Sequence, residues 1–154
     1  MKSKNKYLYP VDVRKARISC KDSPAHKGRL KHSVDFIVGE GTEIRATCRG
    51  VVVDVKQDSD VGGKTQDYDK YGNFIEIKHN NNEFSIYEHI RKNGSLVSVG
   101  DKVKAGQVIG YSGETGWIAH LGAHLHFDVH RYFGKGKEDY ETLEIVWKNV
   151  QFNS

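Results

Sequence analysis

Apolar and polar positions alternate along most of the chain, interrupted by turn signals, and no long helical pattern is present. The segments VDFIV, EIRATCRGVVVDV, NFIEIKH, EFSIYEHI, KVKAGQVIGYSG and HLHFDV each carry the β-branched and aromatic content of strands. NNN at 80–82 separates two such runs and predicts a hairpin turn. DSDVGGKTQDYDKYG at 58–72 is polar and glycine-containing, too long for a tight turn, and reads as a loop that walls a binding groove. YETLEIVWKN near the C-terminus fits either one more strand or a short helical turn. The pattern predicts an all-β fold.

One strand is unusual in composition. HLGAHLHFDVH, from His120 to His130, holds four of the chain's eight histidines. In an extended conformation Leu125, Phe127 and Val129 face one way, and His124, His126 and Asp128 face the other. On a helix the two imidazoles of His124 and His126 would point apart, so only the strand brings them to one surface, as a metal requires. AHKGRLKHSVDF supplies a second cluster in His26, His32 and Asp35, and His89 closes the alternation of FSIYEHI, sharing a face with Ser85 and Tyr87. Together they provide the histidine and carboxylate donors of a catalytic zinc site, which uses three protein ligands and keeps a fourth position for water. His79, His120 and His130 fit surface or supporting positions, with His120 close enough to line the groove.

The 154 residues, 37% of them hydrophobic, with 16 Gly and 2 Pro, suit a single domain over residues 1–154 and contain no apolar run long enough to cross a bilayer. The formal charge of +4 is spread over scattered lysines, which describes a solvated surface better than a nucleic-acid patch, and no RNP-like run is present. Cys20 and Cys48 lie far apart with no C-x-x-C spacing, which excludes a paired zinc knuckle and leaves either one disulfide or two buried thiols. MKSKNKYLYPVDV has the lysines of a leader, but Pro10 and Asp12 break its apolar stretch, so a cytoplasmic protein and a mature domain both fit. No G-x-S-x-G elbow or P-loop supports serine hydrolase or nucleotide chemistry. VSVGDKVKAGQVIG is similar to a lipoyl or biotinyl carrier hairpin, yet no tight turn displays the lysine that such a carrier modifies.

The motifs occur in a telling order: D-F-x-x-x-x-G-T, a Gly before a Val-rich strand, YGN-F-I-E-I-K-H, Y-x-H, G-D-K-V-x-x-G-Q-V-I-G, S-G-x-T-G and HLHFDV. This order resembles the lysostaphin and LytM type of zinc endopeptidases over roughly residues 26–130. The resemblance implies an all-β, antiparallel domain with a groove, one zinc ion per chain, a peptidoglycan peptide as substrate, and a location in the cell envelope or outside the cell. Carried over by position, it implies Asp35 and His126 as zinc ligands, with His89 and His124 as unliganded histidines acting on water and substrate. Members of that family place the first ligand histidine four residues before the aspartate, where this chain has Lys31. His32, three residues before Asp35, would point to the opposite side in an extended segment. His26, nine before, lies in a glycine-containing loop free to fold back, and some relatives resemble this arrangement. Geometry and resemblance together favour His26, with His32 as the alternative. A catalytically inactive module of the same fold, binding or regulating another enzyme, is the rival that a lost first ligand would favour.

Overall fold

The computed structural model describes residues 1–19, 26–119 and 121–148. Among the described residues the regular elements are strands and short 3-10 turns, and no helix is long and apolar enough to cross a membrane. The main sheet contains β1 (Arg17–Ser19), β2 (Val34–Ile37), β3 (Gly50–Lys56), β4 (Phe74–Lys78), β5 (Phe84–Glu88), β6 (Lys102–Val103), β7 (Leu125–Tyr132) and β8 (Tyr140–Thr142). Its spatial order is β6-β3-β4-β5-β7-β2-β1, antiparallel throughout. Strand β7 pairs with β5 along one edge. On its other edge Leu125 to Phe127 pair with β2, and His130 to Tyr132 pair with β8. The eight-residue strand thus has neighbours along nearly its whole length.

The expected hairpin at 80–82 joins β4 to β5, and Asn81 and Asn82 adopt φ of 64° and 53° there. Asparagine tolerates this left-handed conformation because its side chain can hydrogen-bond locally. The C-terminal run, open between strand and helix in the sequence, forms β8 and a strand at Glu144–Trp147 that pairs in parallel with Lys2–Tyr7. A three-stranded antiparallel sheet with Val108–Ser112 between Glu43–Arg45 and Ile90–Ser95 packs its apolar side chains into the common core. Cys48 is half-buried with a free thiol; Cys20, its only partner for a disulfide, lies outside the described residues.

The alternation of β7 explains its place at the centre. Leu125, Phe127 and Val129 are fully buried, and Phe127 meets the rings of Tyr87 and Phe36 at centroid distances of 5.2 and 6.5 Å. Tyr87 also carries a hydroxyl into this core, where Thr47 and Ser85 bond it at 2.8 to 3.0 Å. His79 continues that chain, with Nδ1 donating to the Arg49 carbonyl at 2.7 Å and Nε2 2.8 Å from Ser85 Oγ, so it is a buried structural residue. The opposite face of β7 is not solvated either: His126, Asp128 and His130 are 4%, 1% and 2% exposed. Phe84, Tyr132 and Tyr140 pack around His130, and His26 and His89 lie against His126.

Phe127→Ala should cost about 3–5 kcal/mol, because it removes a large side chain from a packed position and leaves a cavity. Chemical denaturation should show a lowered midpoint with an unchanged slope.

Candidate functional site

Strand register builds the site from β7 outward. His126 lies directly opposite Asp35 on β2 and directly opposite Glu88 on β5. Cross-strand partners share a face of the sheet with Cβ atoms about 4.5–5.5 Å apart, so the imidazole stands between two carboxylates. His26 arrives from the segment that leads into the Gly28–Leu30 turn and is 9% exposed. Its Nε2 lies 3.3 Å from Asp35 Oδ2 and 3.3 Å from His126 Nδ1, while His126 Nδ1 lies 3.2 Å from Asp35 Oδ1. His32 is outside this cluster; it is half-buried, and its backbone N–H donates to Thr142 Oγ1. Lys31 caps the Gly28–Leu30 turn and is exposed.

The donor set fits a tetrahedral metal. Zinc–ligand bonds of about 2.0–2.1 Å put neighbouring donors of a tetrahedron about 3.3–3.4 Å apart. The two imidazole nitrogens, 3.3 Å apart, match that edge, and each lies 3.2 to 3.3 Å from a different oxygen of Asp35, with one donor atom from each of the three residues falling within 4.8 Å of the others. Both oxygens of the fully buried Asp35 carboxylate lack a hydrogen-bond partner of acceptable geometry, the condition of a ligand oxygen whose partner is a cation. Burial works against ionisation of Asp35, but the His126 and His26 rings hold its pKa well below the usual carboxylate range. Burial alone would lower the pKa of His126, whereas Glu88 and Asp35 raise it to about 9. One buried carboxylate and two imidazoles that converge on it form a donor set suited to a divalent cation.

His89 and His124 stand beside the triad. Their rings are 4.4 Å apart, and that of His89 is 6.0 Å from that of His126. His124 Nε2 is 3.7 Å from Asp35 Oδ1. In both, a carbonyl oxygen settles the tautomer: Nδ1–H of His89 donates to Thr115 O at 2.6 Å, and Nδ1–H of His124 donates to Gly122 O at 2.8 Å. A carbonyl only accepts, so in the neutral rings Nε2 keeps its lone pair. Burial lowers the pKa of His89 to about 3, with His124 and His126 adding to the shift. Burial lowers that of His124 too, opposed by the Asp35 charge.

The sequence motifs that gave no chemistry prove to be the frame around His89. His89 adopts φ of 72°, an uncommon conformation for a residue with a side chain. Its backbone N–H donates to Asn73 O, and Asn73 Nδ2 donates to Ser59 O and Ile90 O. Thr115 Oγ1 donates to Ile90 O and accepts from Asn73 N–H, leaving its carbonyl aimed at His89. Gly116 follows with φ of 86°, and a Cβ there would lie 2.6 Å from Gly72 Cα. YGN and S-G-x-T-G are thus two halves of one brace. The loops at 58–72 and 112–122 meet where Gly62–Gly63 pairs with Gly116–Trp117, and Trp117 Nε1–H donates to Lys64 O. Gln66, Asp69, Trp117 and Ile118 from them line the cavity over His89, His124 and His126, with Arg29 and Tyr140 on the other side. His120 lies outside the described residues.

His130 was expected at the surface or in support, and it is the second. Nδ1 is 2.6 Å from Asp128 Oδ1 and Nε2 is 2.6 Å from Glu76 Oε2, to which Tyr132 Oη also donates. Burial opposes its charge, but Asp128 and Glu76 outweigh burial and raise its pKa to about 9. Sequence alternation marks His130 as sharing the face of His126, but Glu76 and Glu88 carry no signal before the strands are placed side by side.

Fold and site together define a class: an antiparallel β protein whose groove holds two buried histidines and an aspartate at metal-ligand spacing, flanked by two more histidines. The model of peptidase family M23 matches residues 29–139, and the chain belongs to that family. It is 35% identical over 127 residues to the peptidoglycan DD-endopeptidase ShyA of Vibrio cholerae, covering 79% of this chain and 26% of ShyA. Lysostaphin of Staphylococcus simulans is 38% identical over 101 residues, 65% of this chain and 18% of lysostaphin. The crystal structure of a zinc-containing peptidase from Vibrio cholerae superposes with a TM-score of 0.60 at 28% identity, over 81% of this chain and 36% of that one. The chain therefore spans about a quarter or less of the length of these curated relatives.

The His130 cation should stabilise the fold in a defined pH window. Its native pKa is raised to about 9, against about 6.5 in an unfolded chain, so its contribution is complete below pH ~6.5 and is lost as the pH climbs through 9. Denaturation midpoints of His130→Gln and wild type should therefore differ most below pH ~6.5 and converge toward pH 9 and above.

Proposed function

We propose that this chain is a zinc-dependent endopeptidase that hydrolyses peptide bonds of bacterial cell-wall peptidoglycan, with His26, Asp35 and His126 holding one zinc ion per chain. The observation that carries this reading is the buried trio itself: His26 Nε2 and His126 Nδ1 lie 3.3 Å apart, and each is within 3.3 Å of one oxygen of an Asp35 carboxylate with no hydrogen-bond partner. Bound there, zinc would lower the pKa of the attacking water and add positive charge to stabilise the oxyanion.

His89 and His124 perform the proton transfers. Each is tethered through Nδ1–H to a backbone carbonyl, which leaves Nε2 as the working nitrogen and holds the ring against rotation. One accepts the proton of the attacking water on its Nε2 lone pair; the other acts as an imidazolium, already protonated on Nε2 from solvent before attack, and so donates a hydrogen bond to the oxygen that becomes negative as the carbonyl is attacked. Because that charge exists only after attack begins, a donor aimed at it stabilises the transition state more than the substrate. The walls contributed by 58–72 and 112–122 admit an extended peptide and limit the water around it. The peptidoglycan substrate rests on the names of ShyA and lysostaphin, and a cell-envelope or extracellular site of action follows from that substrate.

Purified protein should carry about one zinc ion per chain, and Asp35→Ala or His126→Ala should lose it, because two remaining ligands do not sustain tight binding. His26→Ala should also release the metal and His32→Ala should retain it, both read by elemental analysis after dialysis. Retention of stoichiometric zinc by the His26 variant together with loss from the His32 variant would move the ligand to His32.

His124→Ala and His89→Ala should keep both zinc and fold while slowing hydrolysis by ~10²–10⁴-fold, the usual contribution of a positioned proton-transfer group. The assay is release of new amino groups from purified cell walls. Metal-replete wild type that frees no more amine than chelator-treated protein across several wall types would favour a non-catalytic binding or regulatory module.

A further inference from the structure

We propose that Glu88 is a positioning residue of the metal centre: its carboxylate accepts the Nε2 proton of His126 and so holds the ring with Nδ1 turned toward the metal. The proposal rests on the reading of His26, Asp35 and His126 as ligands and extends it to a residue outside that set.

The argument starts from the two nitrogens of one ring. Nδ1 of His126 faces Asp35 and His26, at 3.2 and 3.3 Å. A neutral imidazole that ligates through one nitrogen carries its proton on the other, so Nε2 must be a donor whenever Nδ1 is a ligand. His126 is 4% exposed, and its Nε2 is a buried atom that makes no hydrogen bond of acceptable geometry. Leaving such a donor without an acceptor carries its full desolvation penalty. Glu88 Oε2 lies 3.3 Å from it.

The other carboxylates of this face are engaged elsewhere. Asp128 Oδ1 and Glu76 Oε2 both hold His130, and Asp35 stands on the Nδ1 side. Glu88 makes no other ion pair among the described residues, and its side chain is 35% exposed, free enough to turn by the few tenths of an ångström that converts contact into hydrogen bond. Register fixes the pairing: His126 faces Asp35 on one side and Glu88 on the other, one carboxylate for each ring nitrogen. Glu88 also immediately precedes His89, so a single stretch of chain steers a ligand and supplies a catalytic histidine.

The test is zinc affinity, measured by competition with a chromophoric chelator, on wild type, Glu88→Ala and Glu88→Gln. The alanine variant should bind zinc ~10–100-fold more weakly, the scale expected when the outer partner of a ligating histidine is removed. The glutamine variant, which keeps an acceptor oxygen without the charge, should lose less. In zinc-loaded protein labelled with ¹⁵N-histidine, the Nε2–H signal of His126 should resist solvent exchange in wild type and lose that protection in Glu88→Ala. Alanine-variant affinity within twofold of wild type, with the Nε2–H signal unchanged, overturns the role of Glu88 alone. Wild type that takes up no zinc, or His126→Ala that retains it, overturns the ligand assignment and the role of Glu88 with it. Should the alanine variant not fold, the near-isosteric glutamine variant decides: weakened binding supports the proposal and unchanged binding overturns it.

Discussion

Asp35 places a carboxylate where water does not reach it and where no N–H or O–H donor meets it in good geometry. Taking an ion out of water costs several kcal/mol even after the protein relaxes, so a charge in this position has to be matched by positive charge close by. Two imidazoles approach it within 3.3 Å, and their common focus is a point that a cation can occupy. The rest of the domain can be understood as the scaffold that makes this arrangement tolerable. The sheet aligns Asp35 with His126 by register, the loop before Gly28 folds back to bring His26, and packed apolar residues on the opposite face supply the stability against which a buried charge is set.

The groove floor repeats the same physics without a metal. His130 is held between Asp128 and Glu76, with Tyr132 closing the set and Phe84 stacked on the ring at 5.8 Å. Here a protonated histidine supplies the positive charge that buried carboxylates require. Strand β7 therefore carries two histidines in carboxylate surroundings, two residues away on each side of Asp128: His126 between Asp35 and Glu88, and His130 between Asp128 and Glu76. Its apolar face is conventional, and its polar face would be untenable if any one partner were missing.

Position also has a cost in backbone geometry. His89 sits in a left-handed conformation that costs of order 1–3 kcal/mol for a residue of its kind, and it persists because Asn73, Thr115 and Gly116 over-determine it. His89 thus faces the groove with its tautomer set by a carbonyl and its backbone held by neighbours, a preorganisation that the proposed proton transfer would use. The same bonds tie the two long loops together, so the wall of the groove and the orientation of His89 are one structural unit.

Strand alternation is a local property with a period of two, and it made much of this molecule legible in the sequence. The faces of β7, the hairpin at 80–82, the all-β class and the pairing of His124 with His126 on one side of the chain all follow from it. So did the ranking of His32 below His26 as the alternative ligand, since its position three residues from Asp35 gives it the opposite parity in an extended segment. What alternation does not contain is which strand lies beside which, and at what offset. That Glu88 and Asp35 flank His126, and that Glu76 meets His130, depends on register between segments about 40 to 90 residues apart in sequence. The return of His26 depends on a loop whose path no periodicity describes. The burial of the polar face depends on side chains brought in from other segments, among them Phe84, Tyr140 and His26. The sequence determined the donors and their handedness along each strand, whereas tertiary structure alone decided their neighbours, because proximity across a sheet is set by the packing of the whole core and not by any window of the chain.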